Sequence, residues 1–469
     1  MMQQFPIFVD LHVVPPLIIG DAPALAAKLR LLRKAALDMH AIQTSGNCIR
    51  NITSDPLAGA AHDEIGNPLG WCEIIRQWST LHPEFAFLPR KFKIAVFAGT
   101  EDRAATGFHD IGLRLIKNSA GELGFRVLVG GGQRRTPRVA QIISAFLPER
   151  YLLSYLEAIL RVYNAAGRRD NIYKARIKIL VEAMGINAFS DAVDAEWVRI
   201  KDSAVDLPET EKHRIMAQFA RPSLPPVSEA ALTTRKRRRD DAGFDCWLGN
   251  NTHPHWHDGY VSASISLKQL GRPPGDAAAA EMIAMADLAD QFGRGELHVT
   301  YSQNIIIPHI PRHQLVAFYD ALRTAGLAGA ENGLISDMIA CPGLDYCNLA
   351  NTRSLPLADT LFARFGSPEM RQDIGALRLN ISGCINACGH HHAADIGILG
   401  VNKKGAEHFQ ISLGGRAGED AAVGRIIGPS IAEDEVPDAI AELIWIYRAN
   451  LQVGGSFAVT LTRAWYGTI

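Results

Sequence analysis

Four cysteines in two close pairs constrain this chain more than any other feature. Cys341 and Cys347 are spaced Cys-x5-Cys, and Cys384 and Cys388 are spaced Cys-x3-Cys. Four thiolates in two pairs suit a soft metal ion or an iron–sulfur cluster. Paired cysteines at zinc are usually separated by about two to four residues, so the five-residue gap favours a bulkier cluster. A structural zinc site and four unrelated reduced thiols are the alternatives.

Composition places the chain among ordinary globular proteins. Its 469 residues predict about three domains, with 47% hydrophobic and 21% charged residues. The net charge of −1 creates no field that would select nucleic acid or a membrane surface. Seven cysteines, an odd number, do not suggest a disulfide framework. A cluster needs thiolates, so we expect a reducing compartment.

The N-terminal residues 1–22 are apolar but have no basic leader, and Pro15 and Pro16 interrupt them. They make a poor signal peptide and are too short to span a bilayer. We therefore expect a cytoplasmic protein with no membrane partner. Helical spacing predicts a helix over Ala24–His40.

Two stretches place polar groups where an anion could bind. A loop signal that includes Thr44 and Asn47 precedes Arg50. This is either a surface turn with a solvated arginine or a polar loop that faces an anionic cofactor. Downstream, Lys91 and Lys93 share one face of a predicted strand, where burial is costly unless an anion or water meets them. An edge strand with snorkelling lysines is the alternative.

An internal repeat connects the two ends of the chain. Asp110-Ile111-Gly112 recurs as Asp395-Ile396-Gly397, and each is followed about twenty residues later by Gly-Gly. Lys93 and Arg378 both lie seventeen residues before their aspartate. Fixed order and near-equal spacing predict duplicated supersecondary units. A cofactor between the two related halves is then a natural geometry.

The remaining segments predict structure more than chemistry. Residues 153–185 are helical in pattern, with a turn at 168–170, and the composition of 190–245 suggests a linker. The basic run Arg235–Arg239 predicts a solvated loop or a docking point for an acidic electron donor such as ferredoxin. It lacks the interleaved aromatic residues that nucleic-acid binding would favour. Strand, helix and two short strands are predicted over 261–310, and a helix over 433–452.

The cysteine segments ISGCINACGHHHAADIGILG and CPGLDYCNLA resemble the sulfite and nitrite reductase haemoproteins, most strongly the bacterial assimilatory sulfite reductase haemoprotein (beta) subunit. The resemblance implies a 4Fe–4S cluster on the four cysteines, with Cys388 bridging to the iron of sirohaem. It also implies an α+β fold, with duplicated ferredoxin-like half-domains and two related sirohaem/4Fe–4S α/β domains.

The same resemblance assigns roles to single residues. Arg50, Lys91 and Lys93 would bind and protonate the anionic substrate. The residues expected at the cofactor are Thr44, Asn47, Gly130, Gly131, Gly132, Gln303, Asn304, Arg378 and Asn386. The three adjacent histidines at 390–392 are expected to line the loop after Cys388 or to hydrogen-bond nearby groups. The family's Thr-x-Arg-Gln strand is not recognisable, so we expect an incomplete first half-domain.

These expectations give one organisation and one leading function. The predicted units are 1–37 (remnant half-domain), 38–189 (first repeat), 190–245 (linker), 246–330 (second half-domain) and 331–469 (second repeat with the cluster). The leading function is six-electron reduction of sulfite to sulfide. A ferredoxin-type nitrite reductase and a truncated non-catalytic homologue are the alternatives. No flavin or nicotinamide fingerprint is present, so the electron donor would be a flavoprotein subunit or ferredoxin.

Overall fold

Three β-sheets, each with its own hydrophobic core, form the described part of the chain. The computed structural model describes residues 46–80, 82–227 and 231–450, together with 457 and 460. Helices and strands alternate through this part, which confirms the α+β class. The predicted helix over 24–40, the remnant unit 1–37 and Thr44 lie outside the described residues.

The first sheet has five strands in the order β1-β2-β3-β4-β5. β1, β2 and β3 are parallel, and β4 and β5 continue the sheet in antiparallel fashion. In β2, Phe92, Ile94 and Val96 are fully buried, as their alternation predicts. The strands are Ile49–Ser54, Phe92–Phe97, Ile111–Lys117, Leu123–Val129 and Gln141–Pro148.

Four helices cover this sheet or extend from it. The helix predicted near Trp71 begins at Pro68, because the Asn67 side chain caps it by accepting the Leu69 N–H at 3.0 Å. The long helical segment divides into separate helices around the predicted turn, where Arg168 and Asp170 form an ion pair. The helices are Pro68–Ser79, Leu152–Ala166, Ile177–Met184 and Ile186–Ile200.

The second sheet repeats the topology of the first. Its path is β10-β11-β12-β13-β14, with β15 also paired to β13, and its first three strands are again parallel. The strands are Ile339–Ala340, Leu379–Ser382, Ile396–Lys403, Ala406–Leu413, Arg425–Ile426 and Ile431–Ala432. The helices Leu355–Phe365, Pro368–Ile374 and Val436–Asn450 accompany this sheet.

The predicted internal repeat is present, and the two units share matching hydrogen bonds. Asp110 Oδ2 accepts the backbone N–H of Lys93 at 2.8 Å, and Asp395 Oδ2 accepts that of Arg378 at 2.9 Å. Each aspartate follows a short 3₁₀ turn, Thr106–Phe108 in one repeat and His391–Ala393 in the other. The two turns meet in a small apolar cluster of Ala105, Phe108, Ala393 and Ala417. The repeats therefore face each other across the loops that carry the candidate site.

A third, smaller sheet forms the half-domain, in the order β6-β7-β9-β8. Its strands are Thr252–Pro254, Tyr260–Ile265, His298–Val299 and Ile305–Pro311. The helices Ala279–Phe292 and Leu315–Thr324 contribute to its core. The predicted strand–helix–strand order is confirmed. His298 Nδ1 and the Pro56 carbonyl, 2.7 Å apart, join this half-domain to the loop after β1.

The segment predicted as a linker, 190–245, contains more helix than its composition suggested. It includes the end of Ile186–Ile200, the helices Glu209–Met216 and Ala231–Asp240, and the start of Ala242–Asn251. Buried Val193 and Ile215 join the core of the first sheet, which explains why this part is ordered. The basic run lies on Ala231–Asp240, a helix and not a loop. No helix in the described part of the chain combines the length and the apolar character needed to cross a bilayer.

Candidate functional site

The four cysteines lie in two loops at one edge of the second sheet. Cys341 directly follows β10, and Cys384 follows β11 after one glycine. Since β10 and β11 are parallel, the loops after them emerge at the same edge. The Cys341 N–H donates to the Ile381 carbonyl at 3.1 Å, and a turn brings the N–H of Cys347 to the Gly343 carbonyl at 2.9 Å. Strand order therefore brings together thiols that are distant in sequence.

The environments of the four thiols differ. Cys341 and Cys384 are buried, Cys347 is partly exposed and Cys388 is exposed. Burial raises the pKa of the Cys384 thiol, and hydrogen bonds from Asn386 oppose that rise. Cys388 is accessible to solvent, yet it lies deep enough among protein atoms for desolvation to raise its pKa to about 11. Cys388 is therefore a thiol that a ligand from solvent can reach and that is still partly desolvated by its surroundings.

The donor set, four cysteine thiols on two adjacent loops, has the chemistry of iron–sulfur cluster ligands. Among the described residues, no three His, Cys, Asp or Glu side chains converge as the ligands of one metal ion would. The thiols are nevertheless close enough for charge on Cys341 to raise the pKa of both Cys384 and Cys388. The Gly383 N–H donates to Cys341 Sγ at 3.0 Å, a contact that would also stabilise a thiolate ligand.

Three cations of the first repeat lie within electrostatic reach of one another, and two of them act on the exposed thiol. Lys91 directly precedes β2, Lys93 lies on it, and Arg50 lies on β1. Burial, together with the positive charges of Lys93 and Arg50, lowers the pKa of Lys91 to about 7. Both lysines in turn lower the pKa of Cys388. The structure thus brings Arg50, Lys91, Lys93 and Cys388 into one electrostatic environment, although nearly 300 residues separate the strands from the cysteine.

The loop before β1 holds Arg50 in place. The Arg50 guanidinium donates through Nε and one Nη to the Gly46 carbonyl, at 3.1 and 2.8 Å. The Asn47 carbonyl accepts the Leu88 N–H at 2.7 Å, while the residue itself is exposed. The polar loop is therefore anchored near β2, and its contact with a cofactor stays a prediction.

A buried aspartate holds the backbone of Lys93 in position. Asp110 is fully buried, and its Oδ1 accepts two hydrogen bonds from the Arg176 guanidinium, at 2.9 and 2.6 Å. Its Oδ2 accepts the backbone N–H of Lys93. Arg176 also lowers the pKa of Lys91 through its positive charge. Sequence reasoning used Asp110 only as a marker of the repeat, and it did not find Arg176.

Lys178 fixes the loop after the glycine run. It is buried, and its Nζ donates to the carbonyls of Gln133 and Thr136 at 2.5 and 2.6 Å. In the same loop, Arg134 adopts a left-handed backbone with φ of 85°, and its carbonyl lies 3.0 Å from His392 Nε2. Arg134 contributes another cation beside Cys384. The adjacent Gly-Gly-Gly-Gln-Arg-Arg sequence was the available signal for it.

The glycine run packs against protein backbone. A Cβ on Gly131 would lie 2.5 Å from the carbonyl oxygens of Gly107 and His109, so only glycine fits there. Gly130 and Gly132 both have positive φ, at 87° and 144°. These contacts give a structural reason for the three glycines, and their predicted approach to a macrocycle is a separate expectation.

The predicted polar residues on the half-domain have partners within the protein. The Gln303 side chain bonds both backbone groups of Ala340, and Asn304 bonds Asp337 and Lys268. Both residues are buried. Their side-chain amides therefore hold the half-domain to the cysteine loop, and their cofactor contact stays a prediction.

The histidine run divides between two environments. His392 forms the hydrogen bond to Arg134, as expected for a residue lining this loop. The His390 ring stacks on Tyr301 with centroids 6.4 Å apart. Burial lowers the pKa of His390 to about 3, with Lys93 contributing. Buried His391 has no hydrogen-bond partner for either ring nitrogen within the described structure, so of the two expected roles only lining the loop applies to it.

Arg378 and Asn386 occupy the second repeat as predicted. The Nε of half-exposed Arg378 lies 3.4 Å from Asp395. The positive charge of Arg378 also opposes the rise in the pKa of Tyr301 that burial causes. Asn386 hydrogen-bonds the sulfur of Cys384 through its backbone and side chain. Asn386 therefore lies beside a proposed cluster ligand, where it could tune that ligand.

Comparisons with known proteins match this architecture. The sequence model for "Nitrite and sulphite reductase 4Fe-4S domain" matches residues 45–201 and 338–454, the parts that carry the two repeats. The model for "Nitrite/Sulfite reductase ferredoxin-like half domain" matches residues 269–325, within the third sheet and its helices.

The individual relatives include proteins named as nitrite reductases and proteins named as sulfite reductases. A ferredoxin–nitrite reductase of Synechococcus elongatus is 28% identical over 444 residues, covering 91% of this chain and 77% of the relative. A sulfite reductase [ferredoxin] 2 of Mycolicibacterium paratuberculosis is 28% identical over 446 residues, covering 92% and 72%. These two relatives match equally well, so similarity does not choose between the substrates in their names.

One solved structure shares the fold. The Mycobacterium tuberculosis NirA protein superposes with a TM-score of 0.68 at 24% identity, covering 90% of this chain and 71% of that protein. The first family model alone spans more than half of the sequence and includes both cysteine pairs. The chain therefore belongs to the nitrite and sulphite reductase 4Fe–4S domain family.

Proposed function

We propose that this chain reduces sulfite to sulfide, with six electrons, at a sirohaem coupled to a 4Fe–4S cluster. One observation carries the proposal: Lys91 and Lys93 of the first repeat lie close enough to Cys388 of the second to lower the pKa of its thiol, and Arg50 acts on Lys91. A small dianion would be attracted to these cations, and its reduction needs both electrons and protons. The two halves of the duplicated fold would supply these separately.

The cysteine loops would hold the metal groups. Cys341, Cys347, Cys384 and Cys388 would hold the cluster, and Cys388, the exposed thiol, would also help to hold the sirohaem. When bound, these two groups supply single electrons to the substrate. Sirohaem carries eight carboxylates, so its pocket needs arginine, lysine and amide donors. Arg134, whose charge reaches Cys384, and Arg50 and Asn47 of the polar loop would supply such donors.

The cations of the first sheet would bind and protonate the substrate. Arg50, Lys91 and Lys93 stabilise the anion, because opposite charge in a partly desolvated pocket interacts more strongly than in water. Each oxygen leaves as water only after it gains protons, and a lysine Nζ can donate them. The lowered pKa of Lys91, about 7, lets it release a proton and take up another near neutral pH. Asp110 and Arg176 would keep Lys93 and Lys91 aimed at the pocket.

Ferredoxin is the donor that the comparisons favour. The Synechococcus and Mycolicibacterium relatives are both named for ferredoxin. A flavoprotein subunit is the alternative. The basic helix Ala231–Asp240 is a weaker docking candidate than its sequence suggested, because Arg237 and Arg238 already pair with Asp320 and Asp245. We also propose that the chain acts in the cytoplasm, without nucleic-acid or membrane partners.

Nitrite is the second candidate substrate. The Synechococcus relative, named as a nitrite reductase, matches this chain as well as the sulfite reductases do. Nitrite is also a small anion that loses oxygen as water, so the same cations would serve it. A truncated non-catalytic homologue that keeps the cofactors is the third candidate, and loss of turnover with intact cofactors would favour it.

The deciding experiment is anaerobic purification after expression with a supply of sirohaem. Sirohaem absorption bands with about four to five irons per chain would support the cofactor pair. Turnover of sulfite and of nitrite is then measured in parallel with reduced methyl viologen as donor. A higher kcat/KM for sulfite supports the proposal, a higher value for nitrite selects the second candidate, and a colourless protein without iron contradicts both.

A further inference from the structure

Gln303 closes the open edge of the strand that leads to the first cysteine. Its side-chain Nε2 donates to the Ala340 carbonyl at 3.0 Å, and its Oε1 accepts the Ala340 N–H at 3.1 Å. A neighbouring β-strand would use the same pair of backbone groups. Ala340 is the last residue of β10, and Cys341 follows it directly. One side chain of the half-domain therefore acts as a strand partner beside Cys341.

A buried lysine holds Gln303 in this position. Lys268 is fully buried, and its Nζ donates to the carbonyls of Ser302 and Gln303, at 2.6 and 3.2 Å. It also donates to Asn304 Oδ1 at 2.9 Å and lies 3.2 Å from Asp337. A buried ammonium is stable only with such partners. The lysine thereby fixes the turn from which Gln303 projects.

The turn is strained and closely packed. Gln303 has a φ of 61°, in the left-handed region that residues other than glycine rarely adopt. A Cβ on Gly275 would lie 2.7 Å from the Gln303 Cβ, so the facing loop needs a glycine. Such strain persists only where the surroundings impose it, and it concentrates at functional sites.

Cys341 is held from its other side by the second sheet. Its N–H donates to the Ile381 carbonyl at 3.1 Å, and its Sγ accepts the Gly383 N–H at 3.0 Å. The cysteine is therefore fixed between β11 and the half-domain. We infer that Lys268 and Gln303 are positioning residues through which the half-domain sets the geometry of Cys341 as a cluster ligand. This inference rests on the proposed function, in which Cys341 binds the cluster.

The test compares variants that remove this support with a matched control. Gln303→Leu removes both bonds to Ala340, and Lys268→Met removes the ammonium that fixes the turn. Gln303→Glu, a milder change, removes only the donor. Gln269→Leu is the control, because it removes two side-chain bonds within the same half-domain, to the Gly326 carbonyl and from Arg272, and neither bond involves β10.

Each holoprotein is assayed for iron and sulfide content, for the rate of cluster loss to a chelator and for the cluster midpoint potential. Supporting groups around a metal site typically change its affinity by about 10- to 100-fold. We expect both Gln303 variants and Lys268→Met to lose the cluster at least about tenfold faster than the control, with a shifted potential. Thermal midpoints of the cluster-free proteins separate this effect from general destabilisation.

The outcomes distinguish failure of this inference from failure of the proposed function. Equal cluster loss and potential in Gln303→Glu and Gln269→Leu would overturn the inference, even if Gln303→Leu failed to fold. Faster loss in Gln303→Glu with an unchanged thermal midpoint would support it. A wild-type chain that binds no iron–sulfur cluster would instead overturn the proposed function.

Discussion

Asp110 accepts the backbone N–H of Lys93 at 2.8 Å, and its counterpart Asp395 accepts that of Arg378 at 2.9 Å. The two contacts occupy the same position in the duplicated fold but differ in what balances the charge. Asp110 is fully buried and bonds Arg176 from a distant loop. Asp395 lies nearer to solvent and faces the half-exposed side chain of Arg378 itself. Both repeats therefore contain the hydrogen bond from a backbone N–H to an aspartate. In the first repeat this aspartate is buried near the proposed substrate cations.

We predict that Asp110→Asn destabilises the chain far more than Asp395→Asn does. The first change leaves Arg176 as a buried charge without its carboxylate, which typically costs about 3–5 kcal/mol. The second disturbs an ion pair near the surface, worth about 0–1 kcal/mol. Urea unfolding of both variants under the same conditions measures the difference. Equal losses would show that burial at Asp110 adds nothing to the shared backbone anchor.

Serine substitutions test three of the four proposed cluster ligands. We predict that Cys341→Ser, Cys347→Ser and Cys384→Ser each reduce iron and sulfide content strongly, because a hydroxyl is a poor ligand for a soft metal site. Cys246→Ser is the control, since this cysteine is partly buried and lies on a helix of the half-domain. Full iron content in any of the three variants would remove that cysteine from the ligand set.

Local patterns predicted the repeat and the strands, because those depend on residues that are close in sequence. The Asp-Ile-Gly and Gly-Gly signals lie within about twenty residues of each other, and both repeats fold as this order implies. The alternation in β2 predicted that Phe92 and Ile94 share a face, and both are buried, although Ala95 and Phe97 on the opposite face are buried as well.

Contacts between distant segments could not be predicted in this way. Arg176 lies 66 residues from Asp110, and Gln303 lies 37 residues from Ala340. Nothing in either local sequence marks its partner. The linker prediction missed the helices that precede the Pro-rich stretch, because residues such as Val193 and Ile215 are buried by packing that only the tertiary fold provides.

Replacing the proposed proton donors should reduce turnover without loss of cofactor. We predict that Lys93→Met leaves the sirohaem absorption intact and lowers kcat by about 10²–10⁴-fold, the usual contribution of a general acid. Asn402→Ala, on a turn of the second sheet away from β2, is a control. Normal turnover by Lys93→Met would remove this residue from the proton-donating role.

The pKa of Lys91 gives this role a pH dependence. Burial lowers that pKa to about 7, so the protonated amine is depleted as pH rises through neutrality. We predict that kcat/KM falls as pH rises from 6 to 9, and that Lys91→Arg reduces this dependence because arginine stays charged. A profile that is the same in both proteins would place the titrating group elsewhere.

His298 joins the half-domain to the first repeat through one ring nitrogen and bonds a residue of its own half-domain through the other. Nδ1 lies 2.7 Å from the Pro56 carbonyl, and Nε2 lies 2.7 Å from a Glu296 carboxylate oxygen. Both partners are acceptors, so the ring satisfies both only as a charged imidazolium. Burial alone would lower the pKa of His298, but Glu296 and Pro56 outweigh it and raise that pKa above its usual value. Burial would raise the pKa of Glu296, yet His298 and His309 hold it below its usual range.

This pair predicts how attachment of the half-domain varies with pH. A raised histidine pKa gives stability that is fully present below about pH 6.5 and is lost as pH rises through the folded-state value. The lowered pKa of Glu296 gives stability that is present above about pH 4.3 and is lost in acid. We therefore expect His298→Leu to lower the free energy of unfolding by about 1.5–3 kcal/mol at pH 6, the range for charged hydrogen bonds, and by less at pH 9.

The control replaces the exposed His313 with leucine. Unfolding free energies of the three proteins at both pH values measure the difference. A cost for His298→Leu that stays constant between pH 6 and pH 9 would mean that His298 is neutral in the folded chain and that a single N–H carries its contact with Pro56.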